Sequence, residues 1–152
     1  MKKVLIIAYQ FPPMGGSGVQ RTAKFVKYLR NYGWEPIVLT RSVKGMELKD
    51  ESLLQDVPGD VSIVRTKAYD PTGLPGLLKY PGKFLGRKVF IPDAEMLWRI
   101  FAVKIAVKMV SSGGIDLIYS TSYPYSDHLL ALELKKKFPG IRISGNLKDS
   151  LE

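Results

Sequence analysis

Gly15-Gly16-Ser17-Gly18 is the stretch whose residue types point most directly to chemistry, because glycines let a backbone approach a ligand closely. It lies between an apolar run, Val4 to Ala8, and a helical pattern from Val19 to Tyr32. The free N–H groups of a helix N-terminus in that place face a phosphate or a carboxylate. Arg21 follows in the first helical turn, where it either reaches such an anion or is a solvated surface charge. A dinucleotide fingerprint needs G-x-G-x-x-G. Here Gly16-x-Gly18 is followed by Arg21 in place of the third glycine, and the second apolar run ends in Thr40-Arg41, not in an acid. A nicotinamide cofactor is therefore disfavoured, with Arg41 leaving only a phosphorylated one open. The P-loop pattern G-x-x-x-x-G-K-[ST] does not occur. The plainer reading of the glycines is a tight turn.

Two further groups qualify. Ser120, Thr121 and Ser122 follow an apolar run and either hydrogen-bond a polar ligand such as a sugar or cap the next helix. His128 lies a few residues on, in the start of that helix, where a surface or first-turn position is the simpler expectation. As the single histidine, it excludes a multi-histidine metal site. With no cysteine, disulfides, thiolate metal sites and a cysteine nucleophile are excluded as well.

The elements that must position these residues follow from periodicity. Val4 to Ala8, Glu35 to Thr40, Val61 to Arg65, Ile115 to Tyr119 and Ile141 to Ser144 read as strands. The first is apolar on both faces, as in a parallel sheet. Helices are expected over Val19 to Tyr32, stopped by Gly33, over Ala94 to Ser111, capped by Asp93, and over Tyr125 to Phe138. Leu48 to Leu54 has a short helical pattern. Alternation of strands and helices predicts a Rossmann-like, doubly wound parallel sheet in three α/β/α layers. Ligands bind such sheets at the carboxyl ends of the strands, so the loops after Tyr9, Thr40, Tyr119 and Ser144 are the informative ones.

The 152 residues suit one domain, and 45% hydrophobic with 24% charged residues is ordinary globular composition. A net charge of +9 favours anionic partners. The start, Met1-Lys2-Lys3 and its short apolar run, is a strand and not a secretion signal. Met96 to Val110 is broken by Arg99, Lys104 and Lys108, which argues against a membrane span.

Taken together, these residues resemble a family. Val4-Leu5-Ile6-Ile7-Ala8-Tyr9-Gln10-Phe11-Pro12-Pro13-Met14-Gly15-Gly16 is similar to the opening of group 1 (family 4) glycosyltransferases, with a strand, a Phe-Pro-Pro-like turn and Gly-Gly. Gly33-Trp34-Glu35-Pro36-Ile37-Val38-Leu39-Thr40 resembles their Gly-His-Glu-Val entry to the second strand, with Trp34 in place of His. Ile115 to Ser122 is similar to their fourth strand. Ile91-Pro92-Asp93 and Ser122 to His128 are similar to a bacterial surface-polysaccharide branch.

The resemblance implies one half of a GT-B enzyme. Residues 1–150 would be the acceptor-side domain, and the donor-binding C-terminal domain would be absent. Leu151-Glu152 has the look of a vector-derived scar, and the chain alone would be inactive. The implied reaction moves a sugar from a nucleotide-sugar donor to an acceptor, with retention, without metal or cofactor, in polysaccharide or glycolipid synthesis. Gly15, Gly16 and Gly18 would match the family's glycine loop near donor phosphate and acceptor. Asn146-Leu147-Lys148-Asp149 resembles an Asp-Phe-Arg-Asp motif, which makes Asp149 the candidate to orient or deprotonate the acceptor hydroxyl. Asn146 and Lys148 depart from that motif, and Ser150 replaces its proline. Where many relatives carry a histidine after the fourth strand, this chain has Thr121 and Ser122.

Segment 67–92 mixes Leu74, Leu77, Leu78, Tyr80, Phe84, Leu85 and Phe90 with Lys79, Lys83, Arg87 and Lys88. That mixture suits peripheral contact with an anionic membrane or a lipid-linked phosphate acceptor, or a loop folded over the sheet edge. No RNA-binding motif is present, and no nucleic-acid partner is expected. The implied location is cytoplasmic, at the inner face of the membrane. The alternative function is a non-catalytic subunit that binds an anion or a lipid phosphate.

Overall fold

The computed structural model describes residues 1–44, 48–68 and 96–146. Its framework is one five-stranded parallel sheet: β1 (Lys2–Ile7), β2 (Trp34–Arg41), β3 (Ser62–Thr66), β4 (Leu117–Thr121) and β5 (Arg142–Asn146). The strand order is β3-β2-β1-β4-β5. The order turns back between β1 and β4, so the chain leaves these two neighbours in opposite directions, which is where an open α/β sheet parts into a ligand crevice. The predicted Rossmann-like α/β fold is the observed one.

The central position of β1 explains its composition. Val4 to Ile7 are buried on both faces, with Ile6 opposite Val38 of β2 and Tyr119 of β4. On one face Val4, Ile6 and Ala8 meet Ala23 and Val26 of helix α1 (Ser17–Leu29), with Val57 and Val61 closing the side. On the other, Leu5, Ile7, Leu39 and Ile118 meet Trp98, Ala102 and Ala106 of α2 (Met96–Ser111) and Leu130, Ala131 and Leu134 of α3 (Ser126–Lys137). The small alanines of α2 let it lie close on the sheet, and Arg99 ties it to Glu133 of α3 at 2.6 Å. No helix among the described residues is long and apolar enough to cross a membrane.

Several expected boundaries move, each for a local reason. α1 ends at Leu29 and tightens into a 3-10 turn, Arg30–Tyr32, before Gly33. Gly33 takes φ 77°, a left-handed conformation that glycine enters without penalty, and reverses the chain into β2. The helix expected over Leu48 to Leu54 is instead a bridge between Lys49 and Met14, followed by a 3-10 helix, Glu51–Asp56. The Asp50 side chain sets that start by accepting from the Ser52 amide. β4 begins at Leu117, because Asp116 is occupied pairing with Lys3 through both its amide and its carboxylate. It runs on to Thr121, so Ser120 and Thr121 belong to the strand and not to the loop after it. α3 ends in Lys135, Lys136 and Lys137, which suit its negative C-terminal dipole. Lys135 also donates to the carbonyls of Pro139 and Ile141, both at 2.7 Å. The expected cap at Asp93 lies outside the described residues, as does Asp149.

Candidate functional site

The crevice between the loops that follow β1 and β4 holds several of the residues singled out by sequence. Gly16 is the N-cap of α1, with φ 132° and ψ 160°, and an added Cβ would meet nothing within 4 Å. That backbone belongs to glycine alone, and it leaves the N-terminus of α1 uncovered. No side chain caps this helix, and its first turn holds no acidic residue. The partial positive charge of its N–H groups is therefore not neutralised from within the helix. Arg21, one turn in, extends Nη2 to within 3.5 Å of the Ser122 carbonyl across the crevice. Arg21 also acts on Tyr119 of β4: burial pushes this phenol up from its ordinary range, and the Arg21 cation partly opposes the rise.

The glycines of the loop differ in surroundings. Gly15 faces inward: its amide donates to the Leu48 carbonyl at 3.1 Å, and a Cβ there would stand 2.9 Å from Leu48 Cγ. Its close approach is to the chain's own 48–50 segment. Gly18 lies beside the Gln10 side chain, whose Oε1 would be 3.1 Å from an added Cβ, and its carbonyl accepts from the Thr22 hydroxyl at 3.4 Å.

From β4, alternate residues serve different faces. Thr121 shares the α1 face with Tyr119, is buried, and donates to the Ser122 carbonyl at 3.4 Å. Ser120 points to the opposite face, where its Oγ is 2.7 Å from His128 Nδ1. Gly145 of β5 leaves the space for that pair, since a Cβ would lie 3.0 Å from Ser120 Oγ and 3.2 Å from the His128 ring. His128 is thus a half-buried first-turn residue of α3, engaged beneath the sheet edge and not facing Arg21. Neither Ser120 nor Ser122 caps α3, whose N-cap is Tyr125. The structure thus brings Arg21 and Ser122 together beside the open turn at Gly16, and sets His128 with Ser120 on the far side.

Other contributors escaped the sequence reading. Asp127 is fully buried, and its Oδ2 accepts from the Tyr9 amide at 2.9 Å, which fixes the end of β1 against the start of α3. The Tyr9 carbonyl in turn accepts from Thr40. In sequence Tyr9 and Thr40 stood at strand ends and Asp127 inside the Ser122 to His128 stretch, with no spacing to link them. Tyr123, exposed in the loop after β4, stands edge-on to Tyr125 at 6.3 Å. The pattern Tyr-Pro-Tyr in the loop was visible but carried no direction.

The β2–β3 side of the same edge is basic. Arg41 is buried, with Nη1 on the Tyr9 hydroxyl at 2.8 Å and Nε on the Ser42 carbonyl at 3.3 Å. Arg65 donates to the Pro12 carbonyl at 2.6 Å and the Arg41 carbonyl at 3.3 Å, and burial lowers its pKa from the ordinary range. No group of three or more acidic or histidine side chains suited to a metal ion occurs among the described residues. An apolar cavity of about 200 Å³ lies elsewhere, between α1 and β4–β5, lined by Val4, Phe25, Leu29, Trp34, Leu117, Tyr119 and Ser144. It opens away from the carboxyl edge and contains no charged group.

Comparison with solved structures places the fold. The chain aligns with the C-terminal domain of a hydrogenase from Pyrococcus furiosus at a TM-score of 0.54 and 16% identity, covering 95% of this chain and 91% of that one. It aligns with an apo UGT from Phytolacca americana at a TM-score of 0.50 and 14% identity, covering 95% of this chain and 29% of that one. A UGT transferase from Siraitia grosvenorii in complex with UDP gives 0.50 and 12% identity, over 97% and 28%. The chain therefore spans less than a third of either UGT. No protein-family model and no curated protein sequence matches it. At these identities the likeness is one of architecture, and it identifies the chain as a Rossmann-like α/β domain of the kind that also forms one part of UGT transferases.

Proposed function

We propose that this chain is the acceptor-side half of a GT-B glycosyltransferase of the group 1 kind, acting with a donor-binding domain that lies outside residues 1–150. The reaction moves a sugar from a nucleotide-sugar donor to a sugar or lipid-linked acceptor, with retention and without a metal ion, at the cytoplasmic face of a membrane. The observation that carries this reading is the start of α1: an open glycine N-cap, no acid in the first turn, and Arg21 directed across the crevice at the switch point. Departure of a nucleoside diphosphate builds negative charge on its phosphate oxygens. Preorganised N–H groups and a guanidinium beside them lower the energy of that charge. The shared architecture with UGT transferases, one of them holding UDP, supports the same reading.

Other parts of the reading draw on sequence. Asp149, as base or orienting group, and the membrane contact of segment 67–92 fall almost wholly outside the described residues. Gly15, Gly18, Thr121, Ser122 and His128 enter as crevice or supporting residues, with Gly15 and His128 acting through the loop and strand ends that they hold.

Amide NMR of the chain titrated with UDP tests the site. Shifts are expected at Gly16, Gly18, Arg21 and Ser122, and Arg21→Ala should weaken binding about tenfold, as for loss of one charge-assisted hydrogen bond. Shifts spread over the basic surface, with none in the crevice, would sink the assignment. Transfer of a labelled sugar by the chain together with its donor-binding domain tests the reaction. UDP binding without any transfer would favour a non-catalytic anion-binding subunit.

A further inference from the structure

We infer that Arg41 forms a separate anion site at the carboxyl end of β2, which takes a phosphate or a phosphate monoester. The argument starts from charge. Arg41 is only 6% exposed, yet among the described residues no carboxylate pairs with it; their ion pairs belong to Lys24, Lys27, Arg30 and Arg99. A buried cation without a counter-charge is costly, and a bound anion would supply the missing charge.

The guanidinium is also held in place. Its Cζ lies 5.1 Å over the Tyr9 ring, and Nη1 donates to the Tyr9 hydroxyl at 2.8 Å. Asp127 fixes the Tyr9 backbone through its amide, and the Trp98 ring packs edge-on against the Tyr9 ring at 5.4 Å. The Arg41 fork is thus preorganised, as bidentate phosphate recognition requires. A second observation points the same way. Trp98, whose ring packs edge-on against the same tyrosine, has a buried Nε1 donor with no hydrogen-bond acceptor. A buried donor without an acceptor, on a ring packed against the tyrosine that holds the guanidinium, suits an acceptor-rich ligand, and a phosphate carries three or four such oxygens.

The surroundings add field and little competition. Arg65 lies on the neighbouring strand end, bonded only to carbonyls. Lys44 and Lys67 are exposed just beyond β2 and β3. Asp50, on the segment packed against the β1 loop, already serves as a cap for Ser52. This site is distinct from the α1 crevice and lies across β1 from it, with Tyr9 between the two. It does not depend on glycosyl transfer.

The test uses Trp98 as its reporter. In a Trp34→Phe background it is the remaining one of two tryptophans. Inorganic phosphate, glycerol 1-phosphate and UDP are each titrated at constant ionic strength set with sodium chloride. Saturable fluorescence change is expected with the first two. At tenfold over its Kd, phosphate should raise Tm by about 3–6 °C. Arg41→Gln should weaken both at least tenfold, and Arg41→Lys by less, because the charge stays while the fork is lost. Tyr9→Phe, which frees the guanidinium but keeps the ring, should weaken binding with the fold intact by circular dichroism. A better response to glycerol 1-phosphate than to phosphate would identify a monoester as the natural ligand, and the reverse would identify free phosphate. Equal phosphate affinity in Arg41→Lys, Tyr9→Phe and the parent would overturn the site. So would a response to UDP alone that is insensitive to Arg41, and so would no saturable response to any of the three. UDP shifts at Gly16 and Arg21 would persist in those cases, which separates this failure from failure of the crevice reading.

Discussion

The two edges of the sheet handle polar groups in opposite ways. At the carboxyl edge Thr40, Arg41, Thr66, Ser120, Thr121, Ser122, Ser126 and Asp127 are all buried. Around the amino edge and its flank, charges meet in partly exposed ion pairs: Arg30 with Glu35 and Asp60, and Lys24 and Lys27 with Asp56. Burying a polar group is costly unless every one of its bonds is arranged, whereas an exposed pair contributes little and tolerates change. The carboxyl edge is thus the part of the molecule where each polar bond is fixed by burial and hard to replace.

The largest test of this contrast is Asp127→Ala. It leaves the Tyr9 amide buried without its acceptor, and should lower unfolding free energy in urea by about 2–3 kcal/mol. Next come two glycines with positive φ, one at each edge. Gly16→Ala and Gly33→Ala should each lose about 1–2 kcal/mol to backbone strain. Only Gly16→Ala should also abolish UDP-induced shifts, and equal UDP binding by both variants would erase the distinction between the edges. The smallest effect belongs to the exposed pairs. Lys24 first, then Lys27, hold the Asp56 carboxyl below its ordinary range. Its stabilisation is therefore complete above the unfolded carboxylate pKa, and fades as pH falls through the lower folded value. Asp56→Asn should flatten the acid limb of the stability curve below about pH 4, and leave neutral stability nearly unchanged in about 1 M salt.

Sequence revealed the architecture well and the edge chemistry poorly, for a physical reason. Strand and helix periodicities are local, so Val4 to Ala8 and the α1 pattern announced themselves, and the alternation of elements was enough to predict the parallel sheet. The glycine turn was legible because only glycine takes the Gly16 backbone. The partners of Tyr9 were not. Asp127 meets it across 118 residues and Arg41 across 32, and no spacing rule connects them. His128 illustrates the converse: its place early in α3 was readable, but its bond to Ser120 depended on how far β4 extends. Phe25 fell on the apolar helical stripe, yet it is 41% exposed and stacks on Tyr119 at 4.8 Å. The stripe gives a direction, and the sheet beneath it determines how much of that direction is covered.

The strand order also bears on how the chain is made. β1 is flanked by β2 and β4. A ribosome adding 5–20 residues per second reaches β4 about 4–15 s after finishing β2. During that interval one whole flank of the most apolar strand has only β2 at its side, and its other row of amides and carbonyls stays open to any extended segment nearby. Nascent copies crowded on one message would meet through that row. Slowing translation between Arg41 and Leu117, or withdrawing chaperones, should therefore cost soluble yield well before it harms the finished fold.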